Sequence, residues 1–166
     1  MNYIGQSIGI LAIIVSFFIY IQKSRGKMIF LKLVTDFLWG AHHLSISSYT
    51  AVATTGIAVF RELVFLKNSK NVRGIWEILI FSVLFVLSSV FTWKDWFSVF
   101  PASASVLSTI AFGSDRIKLI RIFAFLSSVC MLVYGIHYFS IPTVINEILV
   151  ESSIIIALIK RHKMKG

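Results

Sequence analysis

An all-helical membrane protein, with seven transmembrane helices set out as two parallel three-helix repeats around a linker helix, is the fold class that this sequence predicts. Three observations carry the prediction. The chain has 166 residues, 57% of them hydrophobic and only 14% charged, with a mean hydropathy of +0.87; a water-soluble domain of this length cannot bury so much apolar surface. Its lysines and arginines collect in every second connection between apolar segments. Finally, one stretch occurs twice: Trp39-Gly40-Ala41-His42-His43-Leu44-Ser45-Ile46 returns 95 residues later as Tyr134-Gly135-Ile136-His137-Tyr138-Phe139-Ser140-Ile141, with Gly, His, Ser and Ile identical. Each copy closes one apolar segment and opens the next, so each marks the same corner of a repeated unit.

The first span, Asn2 to Gln22, holds no charge and has about the 20 residues a helix needs to cross hydrocarbon. It lacks the basic leader and small-residue cleavage site of a signal peptide. After the basic turn Lys23-Ser24-Arg25-Gly26-Lys27, a second span runs from Met28 to Ile46, interrupted by Lys32 and Asp36, and a third from Tyr49 to Leu66. The polar break Lys67 to Gly74 ends the first unit, and a fourth span, Ile75 to Thr92, has no counterpart in the repeat and reads as the linker. Glu77, three residues past Gly74, belongs to the interface. Trp93 and Trp96 flank the next boundary, the place of an aromatic belt. The fifth span covers Phe97 to Phe112 and the sixth ends near Phe139. The seventh opens at Pro142, where a first-turn proline gives up only an amide that had no partner, and closes at Lys160-Arg161-His162-Lys163. The units are therefore residues 1–70, 71–94 and 95–166.

Every Lys and Arg except Lys94 falls on one side if the seven spans alternate: Lys23 to Lys32, Arg61 to Arg73, Arg116 to Arg121, and the tail. By the positive-inside rule this puts the N terminus outside and the C terminus in the cytoplasm. The odd linker gives both triplets one orientation, as in parallel repeats about an axis along the membrane normal. The net charge of +9 is thus a topology signal. It is no nucleic-acid groove, since the charges are spread between apolar segments. The lone Cys130, within an apolar run, excludes an internal disulfide and a Cys-based metal site.

Ionisable residues deep in a span are costly and need a partner or a cavity. Asp36 lies about 12 Å from the inner end of its helix and Glu151 about 13 Å, at 1.5 Å per residue, one in each triplet. Asp36, Gly40 and His43 share a helix face, as do Thr143, Glu147 and Glu151. The acids would thus stand near the midplane and the histidines near the outer mouth. Arg61 and Glu62 lie within depth of Asp36, so a structural ion pair between Asp36 and Arg61 is the plainer reading of those charges. His42 and His137 close their helices, where an imidazole caps a carbonyl. Gly40 and Gly135 allow close helix approach. Adjacent histidines point about 100° apart on a helix, so His42 and His43 do not make a metal site, and no metal or cofactor is expected.

Parallel triplets joined by one helix resemble the SWEET and PQ-loop sugar transporters, and Leu132-Val133-Tyr134-Gly135-Ile136 followed by Pro142 is similar to the second corner of the half-size SemiSWEETs; Leu38-Trp39-Gly40 looks like the same corner in the first triplet. Vitamin transporters of the PnuC kind share the layout. The resemblance implies Glu147 or Asn146 at the substrate-contacting Asn position of the second triplet, with Val52 in the first. It puts Asp36 and Met131 where a Trp is expected, and the Pro-Gln pair is missing before and at Gln22. With Gly5 and Gln22 in the first span, the basic turn and the Gly-x-His corner, the whole chain more closely resembles the YgjV-type bacterial inner membrane proteins, which implies a seven-helix membrane protein.

The sequence holds no Gly-x-Ser-x-Gly, no phosphate-cradling loop and no His-Glu-x-x-His, so no enzyme is expected. A small polar solute permease, for a sugar-, nucleoside- or amine-like substrate, is the expectation. Its site would draw on Asp36, Trp39, His43, Asn146, Glu147 and Glu151, for substrate binding or proton coupling. The alternative is an accessory or assembly membrane protein without transport. Partners are the bilayer and a small solute, with homo-oligomer or membrane partner open and no nucleic acid.

Overall fold

The computed structural model describes residues 3–45, 49–67, 75–93 and 95–163. They form seven α-helices: α1 (Tyr3–Ile19), α2 (Arg25–Ser45), α3 (Tyr49–Lys67), α4 (Ile75–Phe91), α5 (Val99–Gly113), α6 (Ile117–His137) and α7 (Ile141–Lys163), with one 3-10 turn (Trp96–Ser98) leading into α5. These are the seven apolar segments of the sequence. Three of them are long and apolar enough to cross a membrane, within Trp96–Gly113, Ile117–His137 and Ile141–Ile159. Apolar helix in α1 and α4 is shorter, Gly5–Ile19 and Ile75–Phe91, and α2 and α3 are broken by Lys32, Asp36, Arg61 and Glu62. The polar break at 68–74, with Lys70 and Arg73, and also Lys94 and Lys165, lie outside the described residues.

Helix ends follow local chemistry. Asp95 caps the 3-10 turn, its Oδ1 accepting from the Phe97 amide at 2.8 Å while Ser98 Oγ accepts from the Asp95 amide at 3.3 Å. Pro101 sits in the first turn of α5 and Pro142 in that of α7, where amides have no intrahelical partner to lose. The two copies of the repeated stretch fold differently. α6 stops at His137 in a Schellman motif: the Ser140 amide donates to Gly135 O at 2.8 Å and the Phe139 amide to Ile136 O at 3.1 Å, with Phe139 left-handed at φ 52°. In the first copy the helix runs on through Leu44 and Ser45, the counterparts of Phe139 and Ser140, and residues 46–48 are outside the described set.

In packing, α1 lies along α2, α2 along α3, α5 along α6 and α6 along α7; α7 returns to α1, and α3 meets α5. α4 leans on α5, where Ile78 lies over Gly113, sets Phe81 against Phe60 and Phe65 of α3, and turns residues such as Trp76, Ile80, Val83, Leu87 and Phe91 outward. That outer surface of large apolar side chains is what lipid requires and what water would not tolerate. The apolar core gathers at one end of the bundle, where Ile19, Tyr20, Met28, Ile29, Phe65, Phe112, Ile120 and Ile154 meet. Gly135 does what was expected of it: a Cβ there would lie 3.1 Å from Thr143 Cγ2 and 3.2 Å from Val144 Cγ2. Gly40 is less constrained, with Thr55 at ordinary contact distance, 3.5 Å.

Two arginines that the sequence assigns to topology alone are structural. Arg25, in the first turn of α2, donates to the final carbonyls of α5, Phe112 O at 3.0 Å and Ser114 O at 2.8 Å, with Asp115 at 3.4 Å. Arg121, buried near the start of α6, reaches back to the end of α1 and donates to Tyr20 O and Gln22 O, each at 3.1 Å, and to Ala157 O at 3.4 Å. Free carbonyls at helix ends need such donors, and a guanidinium has five donors to give.

Candidate functional site

Above the apolar core lies a cavity of about 350 Å³ to which all seven helices contribute side chains. Its wall is rich in hydroxyls, among them Ser16 from α1, Thr35 from α2, Thr55 from α3, Ser105 from α5, Ser128 from α6 and Thr143 from α7. In apolar helices such hydroxyls normally satisfy themselves on a carbonyl one turn back, as Thr35 does on Leu31 O at 2.9 Å and Thr55 on Ala51 O at 2.7 Å. They therefore make a polar surface that keeps no net charge and leaves lone pairs to the cavity.

Of the residues the sequence proposes, Asp36, Trp39, His43, Asn146 and Glu147 all line this cavity, as do Arg61 and Met131. Glu151 is not among its lining residues. On α7 the lining positions are Thr143, Asn146, Glu147 and Val150, an i, i+3, i+4, i+7 stripe, and at about 100° per residue Glu151 falls roughly 90° from the stripe's centre. Grouping Thr143, Glu147 and Glu151 by i+4 spacing alone follows the drift of the helix out of the cavity.

The ion pairing also differs from expectation. Asp36 pairs with Lys32, one turn earlier on α2, and not with Arg61. Arg61 pairs instead with Glu62, Nη2 to Oε1 at 2.7 Å and Nε to Oε1 at 3.1 Å, and both side chains are fully buried. Arg61 further donates to Thr109 Oγ1 on α5 at 3.0 Å and sits 5.2 Å over the Phe85 ring of α4, so it ties three helices. The signal for Lys32 was present: Lys and Asp at i, i+4 share a helix face.

A second polar group crosses from α1 to α6 and α7. Ser16 Oγ lies 2.7 Å from Ile13 O and 2.9 Å from Asn146 Oδ1, its one hydrogen shared between them, Asn146 Nδ2 donates to Glu147 Oε1 at 2.9 Å, and Ser128 Oγ stands 2.6 Å from Glu147 Oε2 and 3.3 Å from the Glu147 carbonyl. Asn146 and Glu147 thus both line the cavity and are bonded to each other. On the opposite wall Trp39 and His43 stack, centroids 5.7 Å apart and planes at 24°. Asp36 Oδ2 and His43 Nδ1 are buried and have no hydrogen-bond partner among the described residues.

The repeat's other histidines stay out of the cavity. His42 Nδ1 donates to Gly5 O at 2.8 Å and its ring packs over Gly9, so Gly9 makes room for it. His137 stacks face to face on Phe97, centroids 3.4 Å apart. Beside it Tyr138 donates its hydroxyl to Asp95; that bond pushes the phenol up to about 12 and holds the Asp95 carboxyl below the usual carboxylate range. No group of three or more His, Cys, Asp or Glu that could hold a metal occurs among the described residues.

Helices with an apolar exterior around a polar interior define an integral membrane protein. The family model Imp-YgjV, described as bacterial inner membrane protein, matches residues 3–165, and the chain belongs to that family. No curated protein and no solved structure matches the chain.

Proposed function

We propose that the chain is a small polar solute permease of the bacterial inner membrane, with all seven helices crossing and the cavity as its binding site. The observation that carries this is the cavity itself: about 350 Å³ falls at the small end of ligand sites, and it is walled by hydroxyls with Asp36, Trp39, His43, Asn146 and Glu147 among them. A solute ring would lie against the Trp39 and His43 stack, and its hydroxyl or amine donors would reach Asp36 Oδ2 while His43 Nδ1 supplies the counterpart. Sugar-, nucleoside- and amine-like solutes all fit that chemistry.

The two-triplet reading belongs to the same proposal. Exchanging α1–α3 with α5–α7 maps the α1–α7 contact onto the α5–α3 contact and the Arg25 clamp on α5 onto the Arg121 clamp on α1, which is what a pseudo-twofold along the membrane normal requires. The apolar core closes the end bearing Arg25 and Arg121, taken as cytoplasmic by the positive-inside rule. Rocking one triplet against the other would open that end and close the outer one.

The test is uptake into proteoliposomes of labelled sugars, nucleosides and amines. Saturable uptake of one class is expected, lost in Asp36→Asn and His43→Ala and kept in Glu151→Gln, whose side chain is off the cavity. Absence of uptake across the panel by folded, inserted protein would overturn the permease reading and leave the accessory role.

A further inference from the structure

The cavity region's charges do not cancel. Lys32 is matched by Asp36 and Arg61 by Glu62, which leaves Glu147, about nine-tenths buried, with no cation bonded to it among the described residues. Its partners are a hydroxyl and an amide. A buried carboxylate lacking a counter-ion is among the most costly groups a membrane interior can hold, and it must gain either a cation or a proton.

The Ser128 hydroxyl indicates which. It has one hydrogen and lies near two oxygens of the same residue, Oε2 at 2.6 Å and the main-chain carbonyl at 3.3 Å. With the carboxylate ionised, Ser128 donates to Oε2. When a proton arrives, a new O–H bond forms on Oε2, that hydrogen is donated to Ser128 Oγ, and the hydrogen of Ser128 swings to the Glu147 carbonyl, whose second lone pair is available. One proton has entered, no heavy atom has moved, and every partner is satisfied in both states. Asn146 is held in the orientation that donates to Oε1 by Ser16, and that bond serves either state.

We propose that Glu147 is the proton-binding site of this protein, with Ser128 as its switchable partner and Asn146 and Ser16 as positioning residues. The coupling it would provide rests on the permease reading; the proton site itself does not. The titratable groups that face Glu147 are Lys32 from α2, Tyr20 at the end of α1 and Glu151 one turn along α7, while α6 offers it Ser128.

Infrared difference spectroscopy of the full chain in lipid vesicles, stepped in pH, tests this without any solute. A protonated-carboxyl stretch that disappears reversibly on raising the pH is expected. It should be missing in Glu147→Gln, kept in Glu151→Gln, displaced in frequency in Ser128→Ala and restored in Ser128→Thr. Labelling glutamate side chains with heavy carbon should move the band and labelling aspartate should not; this and Ser128→Ala decide the matter should Glu147→Gln fail to fold. A band that survives Glu147→Gln, that ignores Ser128→Ala, or that never forms would overturn the assignment. So would its loss on adding sodium at fixed pH, which would make the ligand a metal cation. Proteoliposome uptake without dependence on a pH gradient, in protein that shows the band, would refute coupling alone and leave the permease standing.

Discussion

Replacing Arg121 by Met removes the donor that closes the end of α1 while keeping an unbranched apolar side chain in its place. Two of its carbonyl partners, Tyr20 O and Gln22 O, lie at 3.1 Å, and the third, Ala157 O, at 3.4 Å is marginal. A hydrogen bond to a charged group contributes about 1.5–3 kcal/mol net, so the two short ones account for about 3–6 kcal/mol. Breaking a buried charged interaction from one side costs about 3–5 kcal/mol in other proteins. For a chain of this length, about 2–4 °C per kcal/mol converts the loss into a fall in Tm of roughly 6–20 °C. The four tryptophans report unfolding by intrinsic fluorescence in detergent. Arg121→Lys should recover only part of the loss, because one ammonium cannot match a planar fork aimed at separate carbonyls. A Tm for Arg121→Met within about 2 °C of the parent, below the effect of 1 kcal/mol, would refute the clamp as a stabilising device.

Three other outcomes are expected. Phe139→Gly should raise stability by about 1 kcal/mol, because a non-glycine residue held left-handed costs about 1–2 kcal/mol and this side chain is 90% exposed; a lower Tm would contradict the Schellman geometry. Arg61→Leu alone should cost about 3–5 kcal/mol, whereas changing Arg61 and Glu62 together to Leu and Met should be far milder, since a buried pair costs as much to desolvate as it returns; equal losses would refute the pairing. Ultraviolet titration should show one phenol, Tyr138, ionising near 12 and returning toward the ordinary value of about 10 in Asp95→Ala. The raised phenol gives this link a stability contribution present below about 10 and lost as pH rises through the folded value. The lowered Asp95 gives one present above the ordinary carboxylate value and lost as pH falls through its own.

The helices were legible because lipid imposes one rule along the whole chain: polar atoms must be absent or satisfied within the helix. That rule writes segment lengths and turns into composition, and the seven segments of the sequence match α1 to α7 within a few residues at most ends. Cavity residues were legible where the rule is broken, as at Asp36 and Glu147. They were missed where it is only bent. Ser16 and Ser105 look like any hydroxyl in a membrane helix, since self-bonding to the preceding turn hides their part in a shared wall, and nothing in the segment around Ser128 records that it bonds across to α7. Lys32, Arg25 and Arg121 were absorbed into a charge count that treats every cation alike. What a cation touches depends on which helices meet, and no periodicity within one segment records that. The Glu151 grouping had the right residue types and the wrong phase, because i, i+4 steps advance about 40° each and two of them leave a face. The repeat identified two corners but not their shapes, since identical Gly, His and Ser leave the left-handed position to Phe139 in one copy and helical Leu44 in the other.

The Arg121 clamp also sets an order in time. Arg121 is made 101 residues after Tyr20, and at about 5–20 residues per second of synthesis the last carbonyls of α1 wait roughly 5–20 s for the donor that covers them. Arg25 waits through 87 residues for Phe112 in turn. The end of α1 and the guanidinium at the start of α2 therefore both stay unmatched until the second half is made, whereas the end of α5 meets a donor already in place. A nascent chain halted before α5 and α6 would keep those termini wet, at the bilayer surface, and biogenesis of this end of the bundle is finished only when the second half is laid against the first.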